Sequence, residues 1–234
     1  MEKIEKQPTF MDGVRACVPT IFGYLGIGFA MGVVGKGIGL SVWQIFLMSL
    51  IVYAGSAQFI ICGMLAIQAP FSSIVATVFF VNLRHLLMSL SVSPYFQKYS
   101  LLGNIGVGTL LTDESYGVLT TYLRQNRPIS LAWMNGLNLL AYLVWIVATV
   151  LGGVSGRFVT NPETFGLDFA LVAMFLGLFL FQAEVEMKRQ TKKTLLVLTT
   201  VLVSVYLLTW WTTPEVAVIG ATLLGSIVGG LSNV

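Results

Sequence analysis

Asn82, Arg84 and His85 stand inside an otherwise apolar run, Phe79 to Pro94 (FFVNLRHLLMSLSVSP). Arg84 supplies a planar, permanently charged fork that can grip a carboxylate through two bonds. His85 is the only histidine of the chain, and its side chain titrates nearest neutral pH, which suits proton transfer. Helical spacing puts Asn82, His85 and Ser89 on one face and turns Arg84 about 200° away from Asn82. A charge at membrane depth costs at least ~2.5–3.5 kcal/mol on insertion scales. Such a segment needs protein around it, or the helix must break. It reads as the centre of a polar site with other segments packed about it.

Further groups could serve that site. Tyr53 to Phe59 (YAGSAQF) combines small residues with a tyrosine and an amide. Ala-Gly-Ser-Ala suits close helix packing; Gly55 and Ser56 also tolerate an unwound point whose backbone could hold a zwitterion, with the Gln58 amide at the same depth. Tyr53, Gly55, Ser56, Gln58, Asn82 and Arg84 are therefore the candidate substrate-binding residues. Thr112-Asp113-Glu114-Ser115 interrupts the apolar run Leu101–Leu123. Either these carboxylates touch water at a shallow depth, or one pairs with Arg84 or carries a proton. His85, Asp113, Glu114 and Asp168 form the candidate proton-coupling set, although Asp168 could simply favour a helix N-terminus. Asn135, Asn138, Tyr142 and Trp145 recur at helical steps, a stripe that must face protein or a cavity. Catalysis finds no support. The chain lacks G-x-x-x-x-G-K-[ST], H-E-x-x-H, a Cys/His cluster and a G-x-S-x-G elbow, so nucleotide hydrolysis, a zinc site or other metal site and a serine triad are not indicated. No cofactor is expected.

The elements that must carry these groups are membrane helices. Of 234 residues, 56% are hydrophobic and only 10% charged, with mean hydropathy +0.85, whereas soluble domains carry about 25% charged residues. Charge gaps predict an all-α polytopic membrane protein of about eight transmembrane helices, one or more of them broken, forming a single transporter domain over residues 1–234. The predicted spans are 16–35, two within the uncharged run 37–83 joined near Gln68-Ala69-Pro70, then 101–123, 131–156, 165–182, 194–211 and 214–233, the opening stretch lying in the third. Spans of ~20 residues match a ~30 Å hydrocarbon layer. Lys3, Lys6, Arg15, Arg124, Arg127, Lys188, Arg189, Lys192 and Lys193 then share one side, and Lys36, Lys98 and Arg157 the other. That asymmetry predicts both termini inside. The first ten residues lack a signal peptide's apolar core. Cys17 and Cys62 lie in apolar stretches and are not expected to pair. Pairs Gly28/Gly32, Gly152/Gly156 and Gly225/Gly229 imply close helix packing or a partner subunit. Nothing suggests nucleic acid.

Three stretches, Pro19–Gly32 (PTIFGYLGIGFAMG), Tyr53–Phe59 and Asn82–Pro94, resemble the AzlC family, as do Thr112–Tyr116 (TDESY) and Leu167–Ala170 (LDFA). The likeness runs from about Phe10 to Gln182. It implies the large subunit of a bacterial branched-chain amino acid exporter, with L-valine among the substrates, in the plasma (inner) membrane beside a small AzlD-type subunit. Without an ATP site, uphill export would draw on a gradient, most simply by proton-coupled secondary transport. A channel-like amino acid pore, or a scaffold subunit without gradient coupling, would use the same residues and stays open here.

Overall fold

The computed structural model describes residues 7–158, 170–212 and 214–232. All regular structure among them is helical. The helices are α1 (Phe10–Cys17), α2 (Ile21–Gly37), α3 (Val42–Ile51), α4 (Gly55–Ala66), α5 (Phe71–Phe96), α6 (Leu101–Thr109), α7 (Asp113–Arg124), α8 (Leu131–Ser155), α9 (Ala170–Leu208) and α10 (Pro214–Leu231). A 3₁₀ turn, Val18–Thr20, joins α1 to α2 at Pro19. Contacts divide the chain into two compact units, Met1–Leu171 and Val172–Val234.

The first unit is built on two helices in backbone contact. Gly13 abuts the Trp133 carbonyl and Gly136 that of Phe10; Gly28 lies against Trp145 and Ala148, Gly32 against Thr149, Gly152 against Phe29, and Gly156 against Lys36. The pairs ascend together, so α1–α2 and α8 run in the same direction. A Cβ at Gly32 or Gly152 would meet the facing main chain, and this is why small residues recur there. Both predicted glycine pairs of this unit are thus consumed within the chain rather than offered to a partner.

Position along α8 then serves as a ruler for the rest. Ile45 meets Gly153, the Ser49 hydroxyl donates to Thr149 Oγ1 at 2.8 Å, and the Tyr142 hydroxyl donates to the Leu50 carbonyl at 2.7 Å. Helix α3 therefore descends from the far end of α8 toward its middle. Helix α4 does not continue that descent. Gly55 meets Trp145, and Gln58 bonds back to Ser49, nine residues earlier, where a straight helix would separate the two by ~13 Å. The chain turns at Tyr53, whose φ of 40° is unusual for a bulky residue, and α4 returns to the face it came from. The second broken segment does the same from the opposite face. Gly103 meets Leu131 and the Asn138 amide donates to the Val107 carbonyl, so α6 climbs; Thr112 then meets Tyr24 level with Trp145, and the Tyr122 ring packs on Trp133, so α7 descends again.

This corrects the span assignment. The half-helices have 10, 12, 9 and 12 residues, or ~14–18 Å each, too short to cross. Two hairpins whose tips lie level with the middle of α8 therefore stand where two crossings were predicted. Among the described residues four helical stretches are long and apolar enough to cross: Phe10–Gly37, Phe71–Phe96, Leu131–Phe158 and Glu186–Leu208. One consequence concerns Lys98. Helix α5 ends, and α6 begins, at the face where α8 starts, so Lys98 joins Arg124 and Arg127 rather than Lys36. The segment holding Arg84 is itself an unbroken helix; the breaks lie in its neighbours.

In the second unit, Gly220 faces Leu208, Gly225 faces Val201 and Gly229 faces Val197, an antiparallel packing of α10 on the end of α9. The charged stretch expected to be a loop between two spans is helical, with a Glu184–Lys188 pair one turn apart at 2.6 Å, interrupted only at Gln190 (φ −145°, ψ 66°). Cys17 and Cys62 are buried free thiols.

Candidate functional site

Two chain breaks bring two half-helix N-termini to one place. Helix α4 begins at Gly55 after an extended Ala54, and α7 begins at Asp113 after Thr112, whose hydroxyl caps the Ser115 amide in a reciprocal box. Amide groups at such ends are unsatisfied and carry partial positive charge. Between them stands the Arg84 guanidinium of α5. Its Nη2 donates to the Ser56 hydroxyl in the first turn of α4. Its Nη1 lies 3.0 Å from Asp113 Oδ2 in the first turn of α7. One fork thus clamps both hairpin tips. Its Nε is buried with no protein partner, leaving one donor of the fork unspent. Side-chain exposure of 26% for Arg84 and 15% for Asp113 keeps the pair partly reachable. His85 sits within the fields of both charges.

Glu114, adjacent to Asp113, turns elsewhere. Its carboxyl lies near the hydroxyls of Tyr24 and Thr112, with Tyr53 and Cys17 close by. Tyr24 and Thr112 share a 2.6 Å hydrogen bond from α2 to the second tip. The site therefore has two lobes on either side of the α7 N-terminus: a cation held by one carboxylate, and a second carboxyl among phenols.

Beneath the first tip lies a buried, uncharged network. The Gln58 amide donates to Ser49 Oγ at 2.9 Å and accepts from Trp145 Nε1 at 2.7 Å, and Ser49 donates to Thr149. Gln58 is fully buried and both ends of its amide are occupied, so it holds the hairpin rather than a ligand.

The sequence model described as AzlC protein matches residues 19–159, more than half of the chain and every element of the site. The chain belongs to the AzlC family. Among curated relatives of this AzlC-family chain, "Inner membrane protein YgaZ" of Escherichia coli K12 is 31% identical over 190 residues, 77% of this chain and 78% of that protein. "Branched-chain amino acid transport protein AzlC" of Bacillus subtilis is 29% identical over 191 residues, 79% and 72% of the two chains. An uncharacterized membrane protein of Archaeoglobus fulgidus is 27% identical over 183 residues. No solved structure matches. This is a membrane transport family, not an enzyme family, and its named relatives are inner membrane and transport proteins.

Of the candidates read from sequence, Ser56, Arg84 and Asp113 meet directly, and Tyr53, Gly55, His85 and Glu114 border them. Asn82 lies one helical turn from His85, and its Oδ1 is buried without a hydrogen-bond partner. Asp168 lies outside the described residues. Sequence reasoning missed Tyr24, the link from α2 to the second tip. Its signal was a lone phenol within the glycine-rich stretch FGYLGIG, where a buried hydroxyl must find a partner. The stripe of Asn138, Tyr142 and Trp145 does face protein, one hydrogen bond each to α6, α3 and α4.

Proposed function

We propose that this AzlC-family chain exports branched-chain amino acids, L-valine among them, across the bacterial plasma membrane, as the large subunit with a small AzlD-type partner and by proton-coupled secondary transport. The observation that carries the reading is Arg84 held between two half-helix N-termini at mid-depth. That is a seat for a carboxylate: a planar fork with an unspent donor, flanked by two positive helix ends. Transporters with discontinuous helices hold substrates in this manner near the bilayer midplane. The B. subtilis relative's name, a branched-chain amino acid transport protein, supplies the substrate class. The partner rests on family resemblance alone, because the glycine faces are used inside the chain.

In this reading the substrate carboxylate and Asp113 compete for Arg84. When valine takes the fork, Asp113 is left charged in an apolar setting, which favours uptake of a proton. His85, beside both, is placed to pass that proton, and Asp168 remains a further member of the coupling set. The cytoplasmic face would be the one bearing Lys98, Arg124 and Arg127, by the positive-inside rule. Valine flux measured in proteoliposomes with and without the small partner, under an imposed pH gradient, tests the reading. Export is expected to need both subunits and to respond to the gradient. Flux without counterflow stimulation by preloaded leucine would make the protein a pore instead.

A further inference from the structure

A carboxylate seat accounts for half of an amino acid. The α-ammonium needs a carboxyl and neutral acceptors, and it cannot take them from Arg84 or from the two positive helix ends. Glu114 has no basic partner: among the described residues the ion pairs are Arg15–Asp12, Arg84–Asp113 and Lys188–Glu184. A carboxyl at this depth without a cation invites one. Tyr53 supplies the second observation. Its hydroxyl is buried with no hydrogen-bond partner, the residue being only 7% exposed, and it lies beside Tyr24 and within the field of Glu114. A buried phenol without a partner calls for an explanation, and its oxygen can accept from a ligand while its O–H donates to a carboxylate. Its ring is fixed edge-on against Tyr142, centroids 4.7 Å apart, at the strained turn of the first hairpin. The second hairpin supplies Glu114, the first supplies Tyr53, and α2 supplies Tyr24. Because Asp113 and Glu114 are consecutive in the first turn of α7, the cation at Arg84 and the carboxyl at Glu114 flank one helix end with opposite charge.

We propose that Glu114, with the phenol oxygens of Tyr53 and Tyr24, is the binding site for the α-ammonium group of the transported amino acid. The proposal rests on the export reading and gives Glu114 a ligand in place of a proton. A site built to accept hydrogen bonds from an ammonium discriminates strongly against a ligand lacking it, and a ligand-by-residue cycle isolates that term.

The experiment measures inhibition of labelled leucine uptake into inverted membrane vesicles from cells expressing the full chain together with the proposed small AzlD-type partner. The inhibitors are valine and 3-methylbutanoate, the same molecule without its amino group. The parent is expected to prefer valine by more than about tenfold. In Glu114→Gln that preference should shrink to within about threefold, chiefly because valine weakens while 3-methylbutanoate does not; Tyr53→Phe, which removes only the hydroxyl, should fall between. Retention of the parental ratio in both variants overturns the proposal, and so does a Glu114→Gln variant that loses both inhibitors alike while Tyr53→Phe behaves as the parent. If the parent itself moves no leucine, the export reading has failed rather than the ammonium site.

Discussion

The two hairpins have the same plan and opposite chemistry. Each enters and leaves by the same face, the two faces being opposite, turns near the middle of α8 and presents a half-helix N-terminus to Arg84. The first, α3–α4, has an apolar tip of small residues and is fastened by the buried chain of Trp145, Gln58, Ser49 and Thr149. The second, α6–α7, carries both carboxylates at its tip and is tied back by Tyr24–Thr112, Asn138–Val107 and the Arg84–Asp113 pair itself. An uncharged network with every member satisfied resists opening, since each broken bond leaves a buried orphan. An ion pair that, in the proposed reading, substrate replaces does not. The difference teaches that the first hairpin is scaffold and the second is the part free to respond, with Arg84 as the clasp between them.

Breaking the clasp should have the largest effect. Arg84→Ala leaves Asp113 without its cation, which costs about 3 kcal/mol, at the low end because the pair is not wholly buried, and export should vanish. Arg84→Lys is the sharper test. It keeps the charge and loses the fork that reaches Ser56 and Asp113 together, so valine transport should fall roughly a hundredfold, the size expected when positioning is lost. Parental flux in Arg84→Lys would make the guanidinium merely structural.

Next comes the scaffold. Gln58→Leu removes both bonds of one amide and leaves Trp145 Nε1 and Ser49 poorly partnered. A loss of ~2–3 kcal/mol in stability is expected, read as a fall in melting temperature of the detergent-solubilised protein. Preference for valine over 3-methylbutanoate should survive in whatever folded fraction remains. A normal melting temperature with altered discrimination would reverse the roles of the hairpins.

Why these roles were only partly legible follows from particular residues. Polar residues in apolar runs announce themselves, so Arg84, the TDES segment and the Gly55–Ser56 break were visible. Direction was not. The uncharged stretch 37–83 has the same hydropathy whether its first part crosses the membrane or doubles back. The turn is made by Tyr53 in a left-handed conformation, where glycine would have been the readable sign. The Gln58–Ser49 bond likewise joins positions that helical periodicity separates. Lys98 fell on the wrong face as a result, because each hairpin mistaken for a span inverts the side of everything after it until the next one restores it. Arg124 and Arg127 kept their place through two such errors.

Asp113→Asn tests the responsive hairpin at the next level of effect. If valine binding frees Asp113 to take up one proton, affinity rises as pH falls, by up to about tenfold per pH unit, since a bound proton linked to a ligand contributes at most that slope. Across pH 5–8 the parent should bind valine more weakly with each step toward alkalinity. Asp113→Asn should flatten the curve and match or exceed the parent at pH 8, where its competing carboxylate is gone. Equal slopes in the two proteins would remove Asp113 from coupling. His85→Gln should leave binding nearly intact and diminish gradient-driven accumulation, because an amide does not titrate in this range.

The smallest effect belongs to the tie between α2 and the second tip. Thr112 does two things with one hydroxyl: it caps α7 and it meets Tyr24. Thr112→Val loses both, for about 1 kcal/mol from the cap and a similar amount from the hydrogen bond. Tyr24→Phe loses only the second, leaving the cap in place. The double variant should therefore cost little more than Thr112→Val alone, with a coupling energy of roughly 0.5–1.5 kcal/mol between the two positions. What separates the hairpins is the accompanying rate. Loosening a responsive element alters exchange without a matching loss of stability, so Tyr24→Phe should change the rate of valine–leucine exchange several-fold while lowering the melting temperature far less than Gln58→Leu does. If Tyr24→Phe destabilises the protein as much as Gln58→Leu, the second tip is as firmly built in as the first, and the asymmetry drawn between them is wrong.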